Sequence, residues 1–517
     1  MALILTGTVV TADREAPVID PGAAYLGDDG RVAAVLPLGT PAPPGFAGAR
    51  RIDTEACIYP GLVDLHSHLG YNTLPLWEAP GVPYMHHDRW PDEDEPPDYG
   101  RTITWPSRIL GQAAAEALIK YVEVKALSGG TTAIQGAPHT TRPVDGWLLR
   151  IVDTERLPAG EDVVLTSALQ KDVEELVEVA PKLADGRVLI YHVAEGAPGT
   201  IVHDEFTDLE TAGCVQPGLI GVHATALTPD DFRQWQDEVH EIDRAADATI
   251  VWSPFSNLWL YHQTTDVVHA SELGVRIALG SDWSPSGTKN VLGELKVADT
   301  LNDQLYDRHF SDADLCDMVT ANPGDAMAVA WGPQIGVLRA GACADVLVCE
   351  RHHEDPHRTL IEATEQHVRL VLVRGMPFYG EPGLMRAAGA TETDTITVRG
   401  RRRAVAVRQP GHADAHLDWP GVRAAIDAVR RDPVGSFERA QHQLAASDTS
   451  APEEELPLEL FGDMPAGHAG VMAVAAAEPP ADIRIPPPDS FTHDDAFFAA
   501  VARSGPPELQ ALAGYYM

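Results

Sequence analysis

The chain has 517 residues, 44% of them hydrophobic, with 76 acidic against 38 basic side chains and a net charge of −38. That length allows a full barrel and more than one domain, and a mean hydropathy of −0.13 with no apolar run of bilayer length excludes a helical membrane protein. The acidic excess repels phosphate backbones and anionic lipid, so neither nucleic acid nor membrane is an expected partner, and a small-molecule substrate is.

In chain order, the first residues, Met1-Ala-Leu-Ile-Leu-Thr-Gly-Thr8, lack the basic region and long apolar core of a signal peptide. Five cysteines (57, 214, 316, 343 and 349) show no metal-pair spacing, and an odd number argues against a disulfide framework, so a cytoplasmic location is expected. Residues 3–11 and 23–36 alternate as short strands around turns at Asp13-Arg14 and Gly27-Asp28-Asp29-Gly30. The mostly apolar run Ile58–Leu65 predicts a buried strand. It opens into Gly61-Leu62-Val63-Asp64-Leu65-His66-Ser67-His68, where two histidines stand at i and i+2. Side chains at that spacing leave the same face of a strand, so both imidazoles can meet one metal ion.

The connection from Gly70 to about Ile109 is long and rich in proline, aromatic and acidic residues, among them Tyr71, Trp77, Tyr84, His86, His87, Arg89, Trp90 and Trp105. A structureless loop of this length is usually functional. Because it leaves a metal-bearing strand end, a lid or pocket wall is expected, with His86 and His87 at most substrate contacts. A helix over 108–127 stops at Gly129-Gly130, and Thr131–Gln135 is the second strand. A weaker strand candidate, Leu148–Val152, and a clear one, 163–168, follow and suggest an irregular barrel. Three later apolar runs each end in a chemically capable residue: Arg187–Glu195 with His192 and Glu195, Leu219–His223, and Gly274–Asp282. Catalytic groups of (β/α) barrels lie at the C-terminal ends of strands, where these residues fall. Ser253-Pro254-Phe255-Ser256-Asn257 follows a strand at Thr249–Trp252, and helices over 291–305 and 312–329 complete the pattern.

His66-Ser67-His68, His192-Val193-Ala194-Glu195, His223, Ser253–Asn257 and Ser281-Asp282, in that order, resemble the amidohydrolase superfamily. The likeness is to its mononuclear-metal branch of cytosine, guanine and adenosyl-type deaminases and triazine hydrolases, over roughly residues 1–350. The resemblance implies an α/β fold, a (β/α)8 TIM-type barrel with a small β-sandwich. The sandwich is expected from 1–58 and 334–410, the barrel from 59–333, and a helical, partly flexible extension from 411–517.

It further implies that His66, His68, His192 and Asp282 are metal ligands and that Glu195, His223 and Asp282 are catalytic. Three neutral imidazoles and a carboxylate suit one divalent ion, Zn2+ first, with Fe2+ or Ni2+ as alternatives. Such an ion lowers the pKa of a bound water to about 7. Asp282 would take a proton from that water, Glu195 would protonate the substrate, and His223 would hold the nucleophile or the developing anion. Many relatives carry a carbamylated lysine bridging two metals. Here Lys171 is the one candidate, and a solvated lysine at a helix start is the favoured reading.

The expected function is metal-dependent hydrolysis, foremost deamination at an sp2 carbon of an amino-substituted heterocycle. The alternatives are hydrolysis of an amide, cyclic amide or C–Cl bond at the same site, and remotely a non-catalytic scaffold. Trp77, Asn257 and Trp283 are the expected substrate-binding residues, with Trp259 and Tyr261 as further candidates for stacking on a planar ring. A helix over Pro420–Val429, a flexible Ala-, Pro- and acid-rich stretch over 446–490 and terminal helices over 491–517 make up the extension. Its Tyr515 and Tyr516 are expected to dock on the body or on a neighbouring subunit of a homo-oligomer.

Overall fold

The computed structural model describes residues 2–78, 83–89, 99–138, 144–157, 163–167, 171–447 and 478–517. Trp90 of the long connection and most of the 446–490 stretch lie outside them. Among the described residues no helix is long and apolar enough to cross a membrane.

Strands β1 (Leu3–Val10), β2 (Val18–Leu26), β3 (Val32–Pro37) and β4 (Arg50–Pro60) open the chain. Eight short parallel strands then follow: β5 (Leu62–Asp64), β6 (Thr131–Ile134), β7 (Arg150–Ile151), β8 (Val164–Ser167), β9 (Val188–Val193), β10 (Leu219–His223), β11 (Thr249–Trp252) and β12 (Arg276–Leu279). They form an irregular (β/α)8 barrel in two ladders, β5-β6-β7 and β12-β11-β10-β9-β8. Beyond its end β12 returns to β5, where Asp282 N donates to His66 O at 2.9 Å and His68 N donates to Asp282 O at 3.1 Å. The closure of the barrel is thus made by the residues of greatest chemical interest. Alternate residues Val63, Leu65, Val188, Ile190, Ile220 and Val222 pack with Met327 and Trp331 of helix Ala321–Trp331, as period-two strands require.

The run expected as one strand, 58–65, is two. It divides at Gly61, whose N–H donates to Asp345 O and whose missing Cβ leaves room for the Thr132 side chain. Upstream of Gly61 the backbone belongs to a second sheet, downstream to the barrel. That second sheet has nine strands in the order β16-β17-β15-β14-β13-β4-β1-β2-β3. Here β13 is Val346–Cys349, β14 Val368–Val373, β15 Met376–Gly380, β16 Asp394–Val398 and β17 Arg401–Val405. Only β1 and β4 pair in parallel. The hairpins β14–β15 and β16–β17 turn at Arg374-Gly375 and Arg399-Gly400, both residues of each pair having positive φ, the geometry that matches strand twist. Strands from the two ends of the chain share one core, in which Leu5, Ile58, Leu338, Val348 and Leu370 meet. The five cysteines are buried and free.

The predicted helix 108–127 is broken at Ala114 into Trp105–Ala113 and Ala115–Ser128. The predicted helix 312–329 is likewise two, Asp312–Asp317 and Ala321–Trp331. In the extension, helices Trp419–Arg431 and Pro433–Ser447 pack across the first pair, with Tyr121 stacked on Trp419 and Phe437 edge-on to Trp105. Residues 478–517 then return over the barrel and end in helix Asp495–Ser504 and short turns.

Candidate metal centre and active site

All six predicted chemical residues converge at the C-terminal mouth of the barrel. The imidazole of His66 lies 4.8 Å from that of His68, 4.6 Å from that of His192 and 4.9 Å from that of His223, centre to centre. Three overlapping sets, His66–His68–His192, His66–His223–Asp282 and His192–Glu195–His223, each bring their donor atoms within 4.8 Å of one another. His66 Nε2 is 3.1 Å and His68 Nε2 3.5 Å from Asp282 Oδ1. Those spacings fit the edges of a tetrahedron whose centre lies about 2.0 Å from each ligand, close to 3.3 Å.

The electrostatics suit a cation. Burial and the neighbouring imidazoles push His192 and His223 well below the usual histidine range, keeping them neutral and able to donate a lone pair. Burial opposes the charge of Asp282, yet His66 and His68 hold it below the usual carboxylate range. A neutral His192 nitrogen beside the His66 and His68 rings and one ionised carboxylate form a nitrogen-and-oxygen donor set that fits a single borderline divalent ion. Lys171 takes no part in it. Its Nζ faces Glu175 at 4.0 Å beside the N-terminus of helix Val173–Val177.

The backbone at this mouth is bent tightly. His223, Ala224, Ala194 and Asp282 all have φ between 53° and 66°, a conformation that costs non-glycine residues free energy and clusters at functional sites. Gly136, with φ of 103°, lies so close to the histidine loop that a Cβ there would stand 1.5 Å from Ser67 O. The loop bearing both histidines is thereby pressed against the end of β6.

Glu195 is fully enclosed. Tyr261 donates its hydroxyl to Oε1 at 2.6 Å, and Oε2 lies 3.6 Å from His223 Nε2. Burial outweighs the Tyr261 bond and pushes the Glu195 carboxyl up to about 7. Tyr261, expected as a stacking residue, is thus the hydrogen-bond donor to this acid. Asn257, expected at the substrate, is buried and places its Nδ2 3.0 Å from His223 Nδ1, so it acts on the site through that ring. Trp283 stands edge-on to His68 at 6.3 Å and to Tyr71 at 5.2 Å. Trp77 meets Tyr99 at 5.7 Å, and its carbonyl accepts from the Trp259 indole.

The described part of the long connection is docked on the mouth. His87 N donates to Glu195 O at 3.1 Å, Ala197 N to Met85 O at 2.7 Å, and Tyr84 N to Leu260 O at 2.9 Å. His87 Nε2 pairs with Glu205 at 2.8 Å; although burial opposes it, that partner raises His87 to about 9. His87 is therefore a latch for the wall over Glu195.

Asp64, two residues before His66, shares the strand face of His66 and His68 by alternation. It is buried and accepts from Ser281 Oγ at 2.5 Å, Ser281 N at 3.1 Å and His66 N at 3.3 Å. Burial pushes it up to about 7. Replacing Asp64 with Ala strands three buried donors, each at about 1–3 kcal/mol. A fall in stability of about 3 kcal/mol or more is expected in urea unfolding, and an unchanged midpoint would contradict this account.

A barrel with a cluster of imidazoles and an ionised carboxylate at its mouth is the arrangement of a metal-dependent hydrolase. Comparison with known proteins agrees: a match to the amidohydrolase family covers residues 189–377. The 5-methylthioadenosine/S-adenosylhomocysteine deaminase of Thermoanaerobacter pseudethanolicus is 23% identical over 388 residues, 67% of this chain and 81% of that one. Among solved structures, atrazine chlorohydrolase from Arthrobacter aurescens complexed with zinc has a TM-score of 0.54 at 16% identity, covering 73% of this chain and 95% of that one. An adenosine deaminase from Xanthomonas campestris with bound zinc gives 0.55 at 18%, covering 72% and 92%.

Proposed function

We propose that this enzyme deaminates an amino-substituted heterocycle, with His66, His68, His192 and Asp282 holding one divalent ion, Zn2+ first. When bound, the ion supplies an acidified water as nucleophile. Asp282, anchored between the two histidines by its backbone bonds, accepts the proton that water gives up. Glu195 carries a proton near neutrality and delivers it to the ring nitrogen beside the carbon under attack. It then takes the proton of the new C–OH group and passes it to the departing amine, which leaves as ammonia, and the proton held by Asp282 restores the Glu195 carboxyl. The Tyr261 hydroxyl fixes Glu195 Oε1 and leaves Oε2 for that transfer. His223, neutral and held by Asn257, stabilises charge that develops at the attacked carbon. The aromatic wall of Tyr71, Trp77, Tyr99 and Trp283 suits a planar ring. The enclosed carboxyl of Glu195, with a pKa of about 7, carries this reading, because loss of an amine needs a proton donor that is still protonated at neutral pH. The deaminase named among the relatives supports it.

The test is product analysis. Zn2+-loaded protein is incubated with aminopurines, aminopyrimidines and amino- and chlorotriazines, and released ammonia and chloride are both measured. Ammonia at stoichiometry with substrate loss is expected. Chloride release, or ring or amide cleavage without ammonia, would replace deamination with the other hydrolytic reading.

A further inference from the structure

Residues 478–517 place one carboxylate beneath the metal-site loops. Asp489 is buried, its N–H donates to Thr73 O at 2.8 Å and its carbonyl accepts from Tyr121 OH at 2.6 Å. Its carboxylate meets two buried ammonium groups, Lys125 Nζ at 2.6 Å and Lys289 Nζ at 2.5 and 2.6 Å. The two lysines differ in what else they reach. Among the described residues Lys289 Nζ hydrogen-bonds only to Asp489, whereas Lys125 Nζ also donates to Asn72 O at 3.0 Å and Ser284 Oγ at 2.5 Å. Asn72 in turn ties the loops together: its Oδ1 accepts from Ser284 N at 2.9 Å and its Nδ2 donates to Ser67 Oγ at 3.1 Å. Ser67 lies between the two histidines, and Ser284 lies two residues past Asp282.

We infer that the C-terminal segment is part of the active-site architecture, with Asp489 acting through Lys125 as a positioning pair that sets the relative placement of the His66–His68 loop and the Asp282 loop. This rests on the reading of those three residues as ligands. Two ammonium groups this deeply buried repel each other and are held only by an opposing charge. Removing the carboxylate frees the Lys125 arm, and with it Asn72 and Ser284. Burial already draws Lys125 down to about 8 despite its partner, so its ammonium form depends on Asp489.

The test uses the full chain, stripped of metal and titrated with Co2+, whose visible absorption reports ligand geometry. Asp489→Asn and Lys125→Met are expected to weaken Co2+ binding by about 10–100-fold, the range for groups that orient metal ligands, and to change the band. Lys289→Met keeps a one-to-one Lys125–Asp489 pair and is expected to retain the wild-type spectrum. Leu512→Ala, a packing deletion in the same terminal segment, should lower Tm without moving the band, which separates positioning from general stability. If Asp489→Asn does not fold, the two lysine variants decide, since each leaves Asp489 with one partner. Equal behaviour of the lysine variants, or a wild-type spectrum for Lys125→Met, overturns the inference. Absence of any Co2+ band in the wild-type chain overturns the metal reading itself and removes the basis for this one.

Discussion

Replacement of Glu195 by Gln is expected to lower kcat by about 10²–10⁴-fold, the range for a lost proton donor, while metal content stays at the wild-type value. The amide matches the carboxyl in shape and still accepts the Tyr261 hydroxyl bond, so the surroundings of His192 and His223 are kept. Only the transferable proton is lost. The pH profile follows from the same group. Burial raises the Glu195 carboxyl to about 7, so the donor is protonated below that value and kcat falls as pH rises through it. Tyr261 donates to the charged form and thereby lowers this pKa; Tyr261→Phe removes that bond, and the alkaline limb should move to higher pH. A Glu195→Gln variant with full activity, or a limb unmoved by Tyr261→Phe, would remove Glu195 from the proton-donor role.

Asp282→Ala is expected to abolish both metal retention and turnover. Asp282 contributes the one ionised carboxylate of the donor set and reaches His66 and His68 at 3.1 and 3.5 Å. Without it, closely packed imidazoles would have to share the cation alone, and the proton acceptor would be gone as well. Elemental analysis of the purified variant checks the first effect and a substrate assay the second. Retained metal with normal rates would place the ligand set elsewhere. The backbone bonds that close the barrel at Asp282 do not involve its side chain, so the variant is expected to fold.

Much of the barrel was legible because a buried parallel strand writes itself as a short apolar run ending in polar punctuation. β9, β10, β11 and β12 stand where those runs are, and even the weak candidate at 148–152 contains the two-residue β7. The helices were less legible at their breaks. Ala114 and Thr320 interrupt otherwise continuous helical patterns through backbone geometry that neither residue type announces. The division at Gly61 was hidden for a related reason: both halves are apolar, and which sheet each joins depends on partners far away in the chain.

The sequence by itself determined the chemical inventory and its order. His66, His68, His192, Glu195, His223 and Asp282 each terminate a local pattern, and local patterns are a property of neighbours in the chain. What only the tertiary structure decided are the couplings between them. Tyr261 holding Glu195, Asn257 turning toward His223, His87 latching to Glu205, and Asp489 reaching Lys125 across 364 positions are hydrogen bonds and ion pairs between distant segments. Their formation depends on burial and on distances of about 3 Å set by packing, and no periodicity or spacing along the chain encodes either.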